Sequence, residues 1–218
     1  MLCNETTRVQ VPALMHLATL GYHFISKNDS YILDESTNIL TDSFEKAFNQ
    51  LNPNPTKSTK EVLKDIKKYL NNDDLGKSFY EYLLTSEYKI IDFDNPTNNI
   101  YEMMTELSYK SLRPDITLFI NGLPLVCIEV KQPLAQKNIQ DEKERHIKRY
   151  SNSTNRMFYN LTQIWIFSDN LAYSNNNFNQ GVFYSTSYSP IFQRFFEEES
   201  LASNTTPPPQ KNPRFKIA

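Results

Sequence analysis

The sequence predicts an α/β domain: a central mixed β-sheet flanked by helices. Three observations carry that expectation. Two apolar runs flank Asn121-Gly122, the dipeptide that most strongly marks a tight β-hairpin. Segments of helical apolar spacing precede this hairpin, and a charged helical segment follows it. Shorter runs rich in aromatic and β-branched residues, at 22–25, 31–33, 88–93, 101–109 and 162–167, supply further strands. At 218 residues, 39% hydrophobic and 13% aromatic, the chain can bury one sizeable core.

In chain order, 6–20 has helical spacing through Val9, Leu14, Leu17, Ala18 and Leu20. Thr6 or Thr7 can cap it, Pro12 is tolerated in a first turn, and Gly21 stops it. Two short strands follow. Asp42 or Ser43 caps a helix through Leu51, which ends at Pro53, and Ser58-x-x-Glu61 is a capping box opening a helix to Tyr69 or Leu70. A third helix covers 75–85. The lysines at 57, 60, 64, 67 and 68 accompany the second of these helices; a solvated face is the default for such a run, and a track for DNA phosphates the minority reading. Strands at 88–93 and 101–109 feed the hairpin. The segment 137–150, KNIQDEKERHIKRY, is helical and highly charged, and 162–167 is a strand with Trp165 as its core anchor. The β pattern continues at 171–174 and 182–187 around an Asn-rich loop at 175–179, and 191–196 is amphipathic. From Glu197 the chain turns acidic, then polar and Pro-rich, which is linker composition. The expected division is therefore a domain over 1–196 and a linker over 197–218.

Composition narrows the function classes. No apolar run approaches the ~20 residues of a membrane span, and the N-terminus lacks a signal-peptide pattern. Two cysteines, Cys3 and Cys127, are too few for a disulfide framework, so a reduced, cytoplasmic setting is expected. Leu75-Gly76-Lys77-Ser78 ends like a phosphate-binding loop, but Asn71 stands where its first glycine must be, so no ATP site is assigned. His16 and His23 lack partners at metal-ligand spacing and read as packing or surface residues. A net charge of −2 does not mark a protein that grips nucleic acid unaided.

The hairpin, RPDITLFINGLPLVCIEVKQ from 113 to 132, holds the chemistry. A plain two-residue loop would pair Ile120 with Leu123 and leave Glu129 on the wrong face. Pairing Phe119 with Leu125, Leu118 with Val126 and Ile116 with Ile128 sets Asp115 against Glu129. This predicts an odd-length loop or a bulge, with Pro124 in the loop because it cannot donate to a ladder. Glu129 and Lys131 share a face, with the Val130 carbonyl between them. Two carboxylates and a carbonyl form a hard-oxygen site for Mg²⁺, which lowers the pKa of a bound water and neutralises phosphate charge. The Lys131 ammonium can orient that water or stabilise developing charge. Metal-assisted phosphodiester hydrolysis is the natural reading; ordinary edge charges on an exposed hairpin are the bland one.

Pro114-Asp115 followed by Glu129-Val130-Lys131 resembles the PD-(D/E)xK nuclease motif. The longer string RPDITLFINGLPLVCIEVKQP, with the opening NETTRVQVPALMHLATLGYHFIS, resembles the N-terminal nuclease domain of the R (HsdR) subunit of type I restriction enzymes. The resemblance implies a restriction-endonuclease-like fold in which Asp115 and Glu129 bind metal and Lys131 is catalytic. It implies Mg²⁺-dependent cutting of double-stranded DNA without sequence choice, and partnership with methylase and specificity subunits. ATP would be used only by a motor domain following the linker. In that family the helix after the hairpin carries Q-x-x-x-Y; here Tyr150 fills the Tyr position and His146 stands for Gln. Arg145, Lys148 and Arg149 lie beside them, to contact phosphates or to be solvated. Many such nucleases also carry an acid on the first helix; Glu5 reads as a solvated helix-end charge, and Gln10 is the candidate for that position. Two alternatives stay open: a RecB-like or repair nuclease, and a catalytically silent docking module.

Overall fold

The computed structural model describes residues 9–26, 28–131 and 139–168. Its centre is the hairpin of β3 (Ile116–Ile120) and β4 (Leu123–Val130). Asn121 and Gly122 take φ of 52° and 76°, the two left-handed residues that a type I′ turn requires. This turn is packed against protein. Asn121 donates to the Ile90 carbonyl and to Asn99 Oδ1, each at 2.8 Å, and accepts from the Ile100 N–H at 2.7 Å. At Gly122 a β-carbon would lie 2.4 Å from the Leu40 carbonyl oxygen, so glycine is needed for space as well as for φ.

The predicted register is present. Ile116 pairs with Ile128 and Leu118 with Val126, with a bulge between Leu118 and Phe119. The loop itself has two residues, Phe119 faces Pro124 rather than Leu125, and Pro124 belongs to β4 instead of the loop. The cause is tertiary: the Leu125 carbonyl accepts from the Gln163 N–H at 2.8 Å, and the Pro124 carbonyl from Thr162 Oγ1 at 3.2 Å. Leu125 is the extra residue of the bulge, and it ties the hairpin to the next strand.

Five strands form one sheet in the order β1-β2-β3-β4-β5. β1 (His23–Phe24) runs parallel to β2 (Tyr101–Thr105), β2 antiparallel to β3, and β5 (Ile164–Ser168) parallel to β4. The sheet is therefore mixed, with helices beside it, as expected. β4 is buried along its whole length, which explains its near-continuous apolar sequence.

α1 (Val11–Thr19) has Pro12 in its first turn and buries His16 and Leu17. α2 (Thr41–Leu51) buries Phe44, Ala47 and Phe48. Its N-cap is Leu40 rather than Asp42 or Ser43; Asp42 lies inside the first turn, where its charge suits the helix dipole, and Ser43 donates to Glu102 Oε1 at 2.7 Å. α3 (Thr59–Leu70) opens on the Ser58/Glu61 capping box and buries Val62, Ile66 and Leu70. α4 (Lys77–Thr85) buries Phe79 and Leu83. Leu17, Phe44, Phe48, Val62, Ile66, Leu70, Phe79 and Leu83 join Met103, Ile116, Leu118, Val126 and Ile128 in the main core, each large member contributing about 1.5–3 kcal/mol by burial. The other face of the central strands, with Cys127 and Glu129, points toward α5 (Ile139–Tyr150) and α6 (Arg156–Leu161).

Two strand expectations fail and a third is shortened. At 88–93 the backbone is irregular: Asn52 bonds both the N–H and carbonyl of Lys89, and Asn121 takes the Ile90 carbonyl, so side chains satisfy groups a ladder would have used. At 31–33 there is a single bridge, from Leu33 to Leu40. The strand expected over 101–109 ends at Thr105, because Glu106 (φ 55°) and Lys110 (φ 50°) enter the left-handed region and Tyr109 bonds back to Leu112. Of the lysines around α3, Lys57 and Lys68 pair with Asp65 and Lys67 with Asp34, which uses their charge locally. No helix among the described residues is long and apolar enough to cross a membrane. The readings at 171–174, 175–179, 182–187, 191–196 and 197–218 lie outside the described residues.

Candidate active site

Asp115 immediately precedes β3. Its carbonyl accepts from the Glu106 N–H and from Gln10 Nε2 of the α1 lead-in, each at 3.1 Å, and its Oδ2 accepts from the Val130 N–H at 2.7 Å. The bulge and the ladder thus set Asp115 beside the end of β4, where Glu129 and Lys131 emerge. Glu129 lies on a central strand, opposite Phe167 of β5, and is only 4% exposed. The Lys131 N–H is fixed to the Ser168 carbonyl at 2.8 Å, while its ammonium donates to the Val130 carbonyl at 2.9 Å. Asp115, Glu129, Val130 and Lys131 are brought together as the hairpin register demanded.

The helix α5 closes the other side. Glu142 and His146, four residues apart on one face, are buried to 4% and 6% exposure. His146 Nε2 lies 2.9 Å from Glu129 Oε1 and 3.5 Å from Glu142 Oε1, and its Nδ1 lies 2.8 Å from the Tyr159 hydroxyl. With Glu129 ionised, Nε2 must carry the ring proton and Nδ1 accept from Tyr159. The ring also packs against Trp165, centroids 4.4 Å apart. Glu142 Oε2 meets Lys131 Nζ at 3.4 Å, and its Oε1 pairs with Arg145.

The electrostatics follow from burial. Desolvation pushes the Asp115 carboxyl up to about 6, opposed by the Val130 N–H and reinforced by the charge of Glu129. Burial also raises Glu129, with Lys131 and Arg145 acting against it. For His146, burial and the cations Arg149, Arg145 and Lys131 lower the value to about 4, so the imidazole is neutral near pH 7. Two adjoining carboxyl groups held away from water beside a carbonyl suit a divalent cation, which would relieve the cost of ionising both. That donor chemistry fits the expected Asp115, Glu129 and Val130 set. One oxygen each of Glu129 and Glu142 and one nitrogen of His146 also lie within 4.8 Å of one another, a second grouping that can hold a metal ion.

The remaining candidates occupy other positions. Tyr150 stands edge-on to Tyr159, centroids 5.6 Å apart, and so supports the residue that holds His146 rather than meeting the carboxylates. Arg145 reaches the cluster through Glu142, while Arg149 is half-buried near the end of α5 and acts on His146 through its charge. Sequence reasoning missed Glu142 and Tyr159. The spacing of Glu142, His146 and Tyr150 on one helix face was the available signal for the first; Tyr159 left none.

Residues 3–180 match the family model described as the type I restriction enzyme R protein N terminus. Among curated relatives, a Methanocaldococcus jannaschii protein provisionally named type I restriction enzyme MjaVIIIP endonuclease subunit is 30% identical over 65% of this chain and 15% of its own length. The type I restriction enzyme HindI endonuclease subunit of Haemophilus influenzae is 28% identical over 78% of this chain and 19% of its own. The chain thus spans less than a fifth of the length of either relative. It belongs to the family of type I restriction enzyme R protein N termini.

Proposed function

We propose that this chain is the Mg²⁺-dependent endonuclease domain of a type I restriction R subunit, hydrolysing phosphodiester bonds of double-stranded DNA. What carries the reading is the convergence of Asp115, Glu129 and Lys131 at the ends of β3 and β4, with α5 packed against them. Asp115, Glu129 and the Val130 carbonyl would hold the ion, which when bound supplies a water of lowered pKa and neutralises phosphate charge. Lys131 donates toward the attacking water and stabilises charge on the phosphate as the water oxygen bonds phosphorus and one P–O ester bond breaks. His146 fixes the Glu129 carboxylate, and Glu142 holds the Lys131 ammonium beside the site. Arg145 and Arg149 lie on the outer part of α5, from which guanidinium groups can reach backbone phosphates. None of these groups reads bases, which suits cutting without sequence choice.

In this reading residues 1–196 form the nuclease domain, and 197–218 lead toward an ATP-driven motor elsewhere in a longer subunit. The motor translocates DNA, and methylase and specificity subunits supply recognition and much of the grip that a net charge of −2 does not provide. The test is Mn²⁺-dependent nicking of supercoiled plasmid by this chain beside Glu129→Ala. Nicking by the unaltered chain alone supports the reading, and equal nicking by both overturns the assigned centre. If neither nicks, the same pair is assayed inside the motor-containing enzyme, where continued silence favours a docking module.

A further inference from the structure

Glu142 and His146 support the Asp115–Glu129 site, yet their donor atoms also converge with Glu129 on a grouping of their own. An ordinary solvated helix face would point these residues outward; here both are more than nine-tenths buried, with His146 against Glu129 and Glu142 against His146. The oxygens divide by direction. Glu142 uses Oε2 for Lys131, while its Oε1 and Glu129 Oε1 both face His146 Nε2. The imidazole is held from behind by Tyr159 at Nδ1, the arrangement by which a backing group fixes the orientation of a metal-ligating histidine. Arg145, the other partner of Glu142 Oε1, is 45% exposed and can turn to solvent at little cost.

We propose that Glu129, Glu142 and His146 form a second divalent-cation subsite, with Glu129 shared between it and the ion held by Asp115. The inference rests on the reading of Asp115 and Glu129 as a cation site and extends it. A ligand set of two carboxylates and one imidazole suits a first-row transition ion better than Mg²⁺, which takes oxygen almost exclusively; Mn²⁺, a hard ion that still accepts an imidazole nitrogen, serves as the paramagnetic probe. On binding, the ring changes tautomer: the proton on Nε2 moves to Nδ1, which then donates to the Tyr159 oxygen, and the Nε2 lone pair meets the ion. Glu142 keeps Oε2 for Lys131, so the subsite and the ammonium are held by one carboxylate.

The test uses Mn²⁺ alone, with stoichiometry from equilibrium binding and pulsed electron paramagnetic resonance to detect nitrogen coupled to the bound ion. The unaltered chain should bind two ions, one of them nitrogen-coupled. Asp115→Asn should keep the nitrogen-coupled ion; His146→Ala should lose that coupling and one ion. Glu142→Gln, nearly isosteric, should weaken the coupled ion at least tenfold. Absence of nitrogen coupling in the unaltered chain, or coupling that survives His146→Ala, overturns the subsite. Plasmid nicking separates the two readings: nicking without nitrogen coupling removes only the subsite, whereas coupling without nicking in the assembled enzyme leaves the subsite standing and removes the nuclease.

Discussion

Replacing Asp115 with Asn removes a charge that the metal-free fold holds at a cost. The carboxyl group rises from its ordinary value to about 6, so ionising it is harder in the folded chain than in the unfolded one. A shift of that size corresponds to about 3 kcal/mol, and partial exposure reduces it through solvent screening to about 1–2 kcal/mol. The sign follows from linkage. A raised carboxyl costs nothing while both states are protonated, begins to cost as pH rises past the unfolded value, and reaches its full cost above about 6. Asn keeps an oxygen for the Val130 N–H but carries no charge against Glu129. In chelator, urea unfolding at pH 8 should therefore find Asp115→Asn more stable by about 1 kcal/mol, allowing for a weaker neutral hydrogen bond. Near pH 4 the difference should shrink to a few tenths of a kcal/mol. Added Mg²⁺ should stabilise the unaltered chain and not the variant, since only a native-state ligand raises stability. A variant less stable at pH 8 in chelator, or a difference that does not change with pH, would refute the reasoning.

The other predictions concern neighbouring residues. Lys131→Ala should lower plasmid cutting at least 100-fold while leaving divalent-ion affinity, by calorimetry, within a few-fold of the starting value, because its ammonium adds charge and not a ligand; loss of ion binding would contradict the assigned role. Asn121→Ala should cost about 3 kcal/mol in denaturant unfolding, since it deletes three side-chain hydrogen bonds, two of them buried, at a left-handed residue. Gly122→Ala should be worse still, because its β-carbon would meet the Leu40 backbone; a soluble, unshifted Gly122→Ala chain would show that α2 can move away from the turn.

Much of the site was legible because one hairpin carries two independent constraints. The apolar alternation of β3 and β4 and the need to place Asp115 by Glu129 demand the same register, and that register is present. What the hairpin could not reveal is where its spare backbone groups go. Pro124 was placed in the loop on its missing N–H, yet it sits in β4 because Thr162 and Gln163, about forty residues later, take the carbonyls of the bulge. The misread strand at 88–93 has the same origin: Ile90 and Ile91 are buried, but Asn52, Asn99 and Asn121 replace the ladder with side-chain bonds. Periodicity reports burial well and hydrogen-bond partners poorly. α6, six residues long, was missed because so short a helix carries too few apolar repeats to register. Glu142 was not singled out within the highly charged segment 137–150. Burying it requires Lys131, Arg145 and His146 to converge from two elements, and only the fold brings them there.

In the proposed function Asp115, Glu129 and Lys131 cut DNA while another part of a longer subunit drives it. The test is Glu129→Ala in a full-length subunit assembled with the proposed methylase and specificity partners, with DNA cleavage and ATP hydrolysis measured on the same sample. Cleavage should disappear and ATP hydrolysis persist at its original rate. Cleavage that persists would contradict that function.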